Sequence, residues 1–335
     1  MLILLCNNNI HLNIRNMKKI GLTLAAGLLS IAGFAQMGGG FGGFGGNQSS
    51  TDTMRYSQKF LNINYAGDNE IYHNLDIYLP KEEKASYPVV IHIYGSAWFS
   101  NNSKGAADLN TICAALLDAG YAVVTPNHRS SGDAKYPAQI NDIKAVIRFV
   151  RGNAEKYKFD TSFIATSGFS SGGHLASLAA TTRNEKVADV DGYKVDLEGN
   201  VGQFTNFSSS VDAACDWSGP VDLMHMDCGE AMKMPTSPEE VVLGVPMAGN
   251  ENRYKALSAP TFIDPSDPPI IVCHGKKDNV VPFCQGESFY NALKAKGVKT
   301  DFIPVEDGGH GFNMYSKENL AKMVYFLNEA RAAKK

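Results

Sequence analysis

The chain has 335 residues, a formal net charge of −3, 44% hydrophobic residues and 19% charged ones. That length and balance suit one large domain able to bury a sizeable core. A slightly acidic chain without a basic cluster is a poor partner for nucleic acid or an anionic membrane surface.

Residues 1–16 show no pattern of their own, and Met17 makes a better start than Met1, so they read as a start-site extension. Met17-Lys18-Lys19 is a short basic segment, residues 20–31 are apolar, and Gly33-Phe34-Ala35 places small residues at −3 and −1 before Gln36. This layout over 17–35 is that of a secretory signal peptide, and its apolar run is too short for a membrane span. A retained N-terminal anchor is the alternative. Cleavage would send the chain to the periplasm or the medium with no stable membrane span. It would remove Arg15, Lys18 and Lys19 and move the formal charge from −3 to −6. Residues 36–55 open with QMGGGFGGFGGNQSS, a glycine-rich tether that cannot bury enough surface to order itself.

A single α/β domain is expected over 56–335. Phe60-Leu61-Asn62-Ile63-Asn64-Tyr65 alternates, Ala66-Gly67-Asp68-Asn69 turns, and Leu75-Asp76-Ile77-Tyr78-Leu79 alternates again, which predicts an antiparallel hairpin. Continuous apolar runs at 89–94, 122–125, 163–166, 211–216, 269–273 and 301–305 predict buried parallel strands. Helical patterns lie at 109–119, 140–157, 173–180, 287–296 and 317–331. This alternation, with one antiparallel edge, predicts a mostly parallel, doubly wound sheet with helices on both faces. Residues 182–261 break the rhythm and are rich in Gly, Asp, Met and Pro. They read as loops or a small cap over the sheet's C-terminal edge, where ligands bind in such folds.

Beyond residue 35 the cysteines are Cys113, Cys215, Cys228, Cys273 and Cys284, at no zinc-motif spacing. Cys113, Cys215 and Cys273 sit in apolar runs and read as buried small hydrophobes. Cys228 could form a bridge that export would permit.

Gly168-Phe169-Ser170-Ser171-Gly172 joins a predicted strand to a predicted helix. In that context G-x-S-x-G marks a sharp turn that exposes the serine hydroxyl, so Ser170 is the candidate nucleophile. Ser171 lacks the flanking glycine spacing. A serine hydroxyl needs a base, and His310, in the loop Gly308-Gly309-His310-Gly311-Phe312, is the candidate. His73, His92, His128, His174, His225 and His274 fall in elements or segments that make them structural or surface residues, and His11 precedes the domain. The third member is Asp278, after the apolar strand and glycine turn of IIVCHGKKD. The chain order Ser170, Asp278, His310 is the one expected of an α/β-hydrolase fold. Asp264 and Asp267 precede that strand, and Glu306 and Asp307 lie too near His310. The backbone of Ser171 is one expected oxyanion donor, and the loop Tyr94-Gly95-Ser96-Ala97-Trp98 supplies the others.

Together with LDIYLP, NHRSSG, GFSSGGH, DWSGPVDL, HGKKDNVVP and GGHGF, these segments resemble the α/β-hydrolase esterases grouped as bifunctional feruloyl/acetyl-xylan esterase-like, near the hormone-sensitive-lipase type. The resemblance runs from about Tyr65 to the C-terminus. It implies Ser170, Asp278 and His310 as a triad, with Ser171 as a donor. The family's His-Gly-Gly-Gly-Trp is here Tyr94-Gly95-Ser96-Ala97-Trp98. The N–H groups of Ser96 and Ala97 remain as donors, while their Cβ atoms narrow the site toward small acyl groups.

The resulting expectation is two-step acyl transfer without metal or organic cofactor, on acetyl or feruloyl esters of carbohydrates or similar small esters. A prolyl-oligopeptidase-type peptidase and a non-catalytic binding module of the same fold are the alternatives. Asp142 with Arg148 and Arg151 suggests ion pairing. Met224, Met226, Met232, Met234 and Met247 either line an apolar pocket or simply pack.

Overall fold

A computed structural model describes residues 55–106, 109–183, 185–230 and 236–334. The start-site extension, the signal segment and all of the glycine-rich tether except Arg55 lie outside them.

Among the described residues there are ten strands: β1 (Tyr56–Asn64), β2 (Asn74–Pro80), β3 (Tyr87–Ile93), β4 (Ala122–Pro126), β5 (Phe159–Phe169), β6 (Val187–Val190), β7 (Tyr193–Asp196), β8 (Ala213–Trp217), β9 (Ile270–Gly275) and β10 (Thr300–Val305). Helices are α1 (Ile112–Asp118), α2 (Ala138–Gly152), α3 (Ser171–Thr181), α4 (Pro238–Leu243), α5 (Glu251–Leu257), α6 (Phe283–Ala295) and α7 (Lys317–Ala333). Eight strands form one sheet in the order β1-β2-β4-β3-β5-β8-β9-β10. β2 pairs antiparallel with both β1 and β4, and every other pair is parallel. The strand order reverses at β3, which has β4 on one side and β5 on the other. That switch point opens a crevice at the strands' C-terminal ends, between the loop after β3 and the turn after β5.

Alternation along the buried strands divides the core between the two faces. Val89, Ile91 and Ile93 of β3 pack with Ile164, Val272 and the apolar stripes of α2, α3 and α6. Val90 packs on the other face with Ala165, Cys215, Ile271 and the stripes of α1 and α7. Both faces of the central strands are thus covered, which is why those strands read as continuous apolar runs. Among the described residues no helix is long and apolar enough to cross a membrane.

Two helix boundaries and one segment differ from expectation for local reasons. The helix expected over 140–157 ends at Gly152, because the Asn153 side chain donates to the Phe149 carbonyl (3.0 Å) and caps the turn. The helix expected from 287 begins at Phe283, directly after Pro282, which lacks an N–H and suits a helix start. Residues 182–261 hold more regular structure than loops: the antiparallel pair β6–β7 and the short helices α4 and α5.

Candidate active site

The turn after β5 holds Ser170 at φ 55°, ψ −126°, a conformation that costs roughly 1–3 kcal/mol and persists only when its surroundings enforce it. The surroundings here are backbone. A Cβ on Gly168 would lie 2.1 Å from the Gly172 carbonyl oxygen, and one on Gly172 would lie 2.1 Å from that of Ile93. No other residue fits either position, which is the physical content of G-x-S-x-G. The Ser170 N–H donates to the Trp217 carbonyl at the end of β8 (2.8 Å). Residues from β3, β5 and β8 therefore all hold the turn.

The structure brings the other two predicted residues to this serine. His310 Nε2 lies 3.0 Å from Ser170 Oγ, and its Nδ1 lies 2.9 Å from Asp278 Oδ2. A carboxylate only accepts, so Nδ1–H donates to Asp278 and Nε2 is left to accept the serine proton. Asp278 Oδ1 accepts from the N–H groups of Val280 and Val281, both at 2.9 Å. Burial pushes this carboxyl up, but the hydrogen bond and charge of His310, aided by His274 and Val280, outweigh it and hold it below its ordinary value. Asp278 is accordingly ionised at neutral pH. His274, expected to be structural, sits with its Nε2 3.6 Å from Asp278 Oδ2. Burial lowers its pKa, and its Nε2–H donates to the Val281 carbonyl (3.0 Å), so it braces the Asp278 turn.

The loop after β3 departs from expectation in one respect. Ala97 (φ 50°) and Trp98 (φ 61°) hold the left-handed backbone that glycine would adopt without strain. The Ser96 N–H, expected as an oxyanion donor, instead donates to the Ser171 side-chain hydroxyl (2.9 Å). The residue following Ser170 carries a hydroxyl, so it can accept that N–H across the crevice. The loop is braced from outside. The Ser131 N–H donates to the Trp98 carbonyl (2.7 Å), the Tyr94 hydroxyl donates to the Ser100 carbonyl (2.9 Å), and the Tyr94 ring stacks on His128.

Asp142 does form ion pairs, but with Arg129 (2.6 Å) and His73 rather than with Arg148 or Arg151. It also accepts the Arg129 N–H, two residues before Ser131. Arg148 pairs with Glu198, and Arg151 donates to backbone carbonyls. Met224 and Met226 pack against the core and Met247 is partly exposed. Met232 and Met234 lie outside the described residues.

Cys228 is bonded to Cys284 at the start of α6, and Cys113, Cys215 and Cys273 are buried thiols. Next to the bridge, buried Gln285 donates to the carbonyls of Asp222 (3.0 Å) and His225 (2.8 Å) and accepts the Asp222 N–H (2.8 Å). The bridge and the amide together fasten residues 222–228 to α6. Cys228→Ser combined with Cys284→Ser is expected to lower stability by about 2–4 kcal/mol, the usual loss when a loop of this length is released. Urea unfolding measures it.

Below the serine turn lies Asp216, a fully buried side chain from DWSGP that sequence reasoning passed over. Its Oδ1 accepts the Gly219 N–H (2.8 Å) and its Oδ2 accepts from Ser177 Oγ (3.3 Å). Burial pushes its pKa up to about 7 from 3.8. The folded state then holds a proton between about pH 4 and 7 that the unfolded chain has released, so this group makes stability fall as pH rises through that window. Asp216→Asn keeps both hydrogen-bond positions without a charge. Its Tm relative to the wild type is expected to climb as pH goes from 5 to 8, and a constant difference would remove the assignment.

Among the described residues, no group of three or more His, Cys, Asp or Glu side chains is placed to hold a metal ion.

On a sheet parallel except for β2, the serine turn follows β5, the carboxylate follows β9 and the histidine follows β10. This chain order is that of an α/β-hydrolase. A solved truncated form of a carbohydrate esterase from gut microbiota superposes with a TM-score of 0.80 at 45% identity, covering 83% of this chain and 98% of that one. A bifunctional GH43-CE protein of Bacteroides eggerthii gives 0.78 at 49% identity, over 82% of this chain and 35% of its own. Esterase LipQ of Mycobacterium tuberculosis is 30% identical over 228 residues, which are 68% of this chain and 51% of LipQ. The chain spans about half the length of the curated relatives it matches. It belongs to the BD-FAE family, which matches residues 75–293.

Proposed function

We propose that this protein hydrolyses carboxylic esters, with Ser170 as nucleophile, His310 as general base and acid, and Asp278 as the group that fixes the imidazole tautomer. The hydrogen-bonded series from Ser170 through His310 to Asp278, set on a strained turn, carries this reading. Ser170 Oγ attacks the ester carbonyl as His310 Nε2 takes its proton. The carbonyl oxygen becomes an oxyanion facing the N–H groups of Ser171 and the loop after β3. His310 returns the proton to the departing alcohol, then activates a water that releases the acid. Asp278 stays ionised and stabilises the imidazolium.

The substrates proposed are acetyl or feruloyl esters of carbohydrates. Family membership and the carbohydrate esterases among the solved relatives support that class. We further propose that the chain works outside the cytoplasm, in the periplasm or the medium. The signal-like segment at 17–35 and the Cys228–Cys284 bridge both favour an oxidising compartment.

Release of acid from p-nitrophenyl acetate, acetylated xylan and methyl ferulate tests the proposal. Turnover of acetylated xylan or ferulate, absent from Ser170→Ala, would support a carbohydrate-directed esterase. Turnover of the nitrophenyl ester alone would leave a general small-acyl esterase. The Cβ atoms of Ser96 and Ala97 favour acetyl over feruloyl, and equal turnover of both would count against a narrowed site. Equal rates for the two proteins on every substrate would overturn the proposal.

A further inference from the structure

We propose that the side-chain hydroxyl of Ser171, and not only its backbone, donates a hydrogen bond to the reacting carbonyl oxygen, with the Ser96 N–H bonded behind it. This rests on the ester-hydrolase reading above.

Three observations place it there. Ser171 is 0% exposed, and its Oγ accepts the Ser96 N–H at 2.9 Å. Its own proton has no acceptor among the described residues, although a buried hydroxyl that donates nothing forgoes a favourable bond. The hydroxyl also lies between the two walls of the crevice. Ser171 follows Ser170 directly, and Gly95, next to Ser96, packs so closely that a Cβ on it would lie 2.7 Å from Ser170 Cβ. An acyl group attached to Ser170 Oγ would place its carbonyl oxygen in this neighbourhood.

The chemistry follows from the direction of the bonds. Ser96 cannot offer its N–H to the substrate while Ser171 accepts it. Accepting that bond polarises the Ser171 O–H and makes it a better donor. As the carbonyl carbon becomes tetrahedral its oxygen gains negative charge, and the bond from the hydroxyl strengthens with it. The proton stays on Ser171 throughout. The Ser170 oxygen–carbon bond forms and breaks as described above, so the hydroxyl adds only electrostatic stabilisation.

The test compares wild type, Ser171→Ala, Ser171→Thr and Ser170→Ala on p-nitrophenyl acetate, with kcat and KM resolved, Tm recorded, and inhibition by phenylboronic acid measured. Ser171→Ala keeps the backbone N–H and removes only the hydroxyl. Its kcat is expected to fall about 10²-fold, the usual effect of losing one oxyanion donor, with KM within twofold and Tm lowered only modestly by the loss of the acceptor for the Ser96 N–H. Boronate affinity is expected to fall with kcat, because the boronate adduct mimics the tetrahedral state. Ser171→Thr restores a hydroxyl and is expected to recover most of the rate. A Ser171→Ala protein as fast as wild type, or faster because Ser96 has been released to the substrate, would overturn the inference while leaving the esterase intact. So would a loss carried by KM or Tm that threonine does not rescue. A Ser170→Ala protein as active as wild type would overturn the functional reading and this inference together.

Discussion

Ser170→Ala is expected to lower kcat on p-nitrophenyl acetate by about 10⁵-fold or more while leaving the fold intact, the scale seen when an acyl-transfer nucleophile is removed. Alanine carries no oxygen to attack the carbonyl, and His310 Nε2 loses the hydroxyl whose oxygen lies 3.0 Å from it. Substrate binding and the backbone donors survive, so the residual rate should still exceed that of water by roughly 10³-fold. Adding His310→Ala to this variant should cost almost nothing further, since the two residues act as a unit. A second large drop in the double variant would mean that His310 acts independently of Ser170, and the proposed proton transfer would fall. Initial rates on proteins matched for Tm decide it.

Asp278→Asn is expected to lower kcat by about 10⁴-fold with little change in stability. The direction follows from hydrogen-bond polarity. Asn Oδ1 can still accept from Val280 and Val281, which keeps the turn closed. That leaves the amide NH₂ facing His310 Nδ1, where a carboxylate oxygen accepts now. Two donors cannot share that contact, so the imidazole turns to the other tautomer and Nε2 carries the hydrogen. In that form it cannot take the serine proton. The loss should appear in kcat with KM nearly constant, and higher pH should relieve it only as far as the amide–imidazole contact loosens. A KM-dominated loss would instead assign Asp278 to substrate binding.

The parts of the sheet that were legible owe it to burial on both faces. Strands such as Val89 to Ile93, apolar but for His92, and Ile270 to Cys273 read as nearly continuous apolar runs because helices cover each side. The β6–β7 pair was overlooked although its signal is present. Asp191-Gly192 is a two-residue turn with both φ values positive, of the kind that joins tight hairpins. Four-residue strands on a surface, with Val187 62% exposed, alternate too weakly to stand out. The apolar period past Gly152 was real in burial but not in backbone. Tyr157 is in the core, yet the chain reaches it through a turn capped by Asn153.

Within the site, Ser170, Asp278 and His310 were readable because each lies in a short motif just past a strand, where the parallel sheet gathers its C-terminal ends. Contacts between distant motifs were not readable. Ser96 and Ser171 are 75 positions apart, and their bond depends on the left-handed path through Ala97 and Trp98. The partner of Cys228 was hidden for a similar reason, since spacing alone does not separate a surface cysteine on α6 from three buried ones. Gln285 and Asp216 look unremarkable in sequence and acquire roles only from what they are packed against.

The backbone wedge around Ser170 also bears on how the molecule opens. Its N–H is held by the end of β8, and Gly172 is pressed against the carbonyls of Ile93 and Tyr94. No small fluctuation can release the turn without parting the central strands. Amide hydrogen exchange at residues 168–174 should therefore proceed only through the largest openings, close to global unfolding, whereas surface pieces such as β6–β7 exchange by local fraying. On the ester-hydrolase reading, the loss of activity on heating and the loss of the folded sheet should become one event, so that residual activity would count folded molecules.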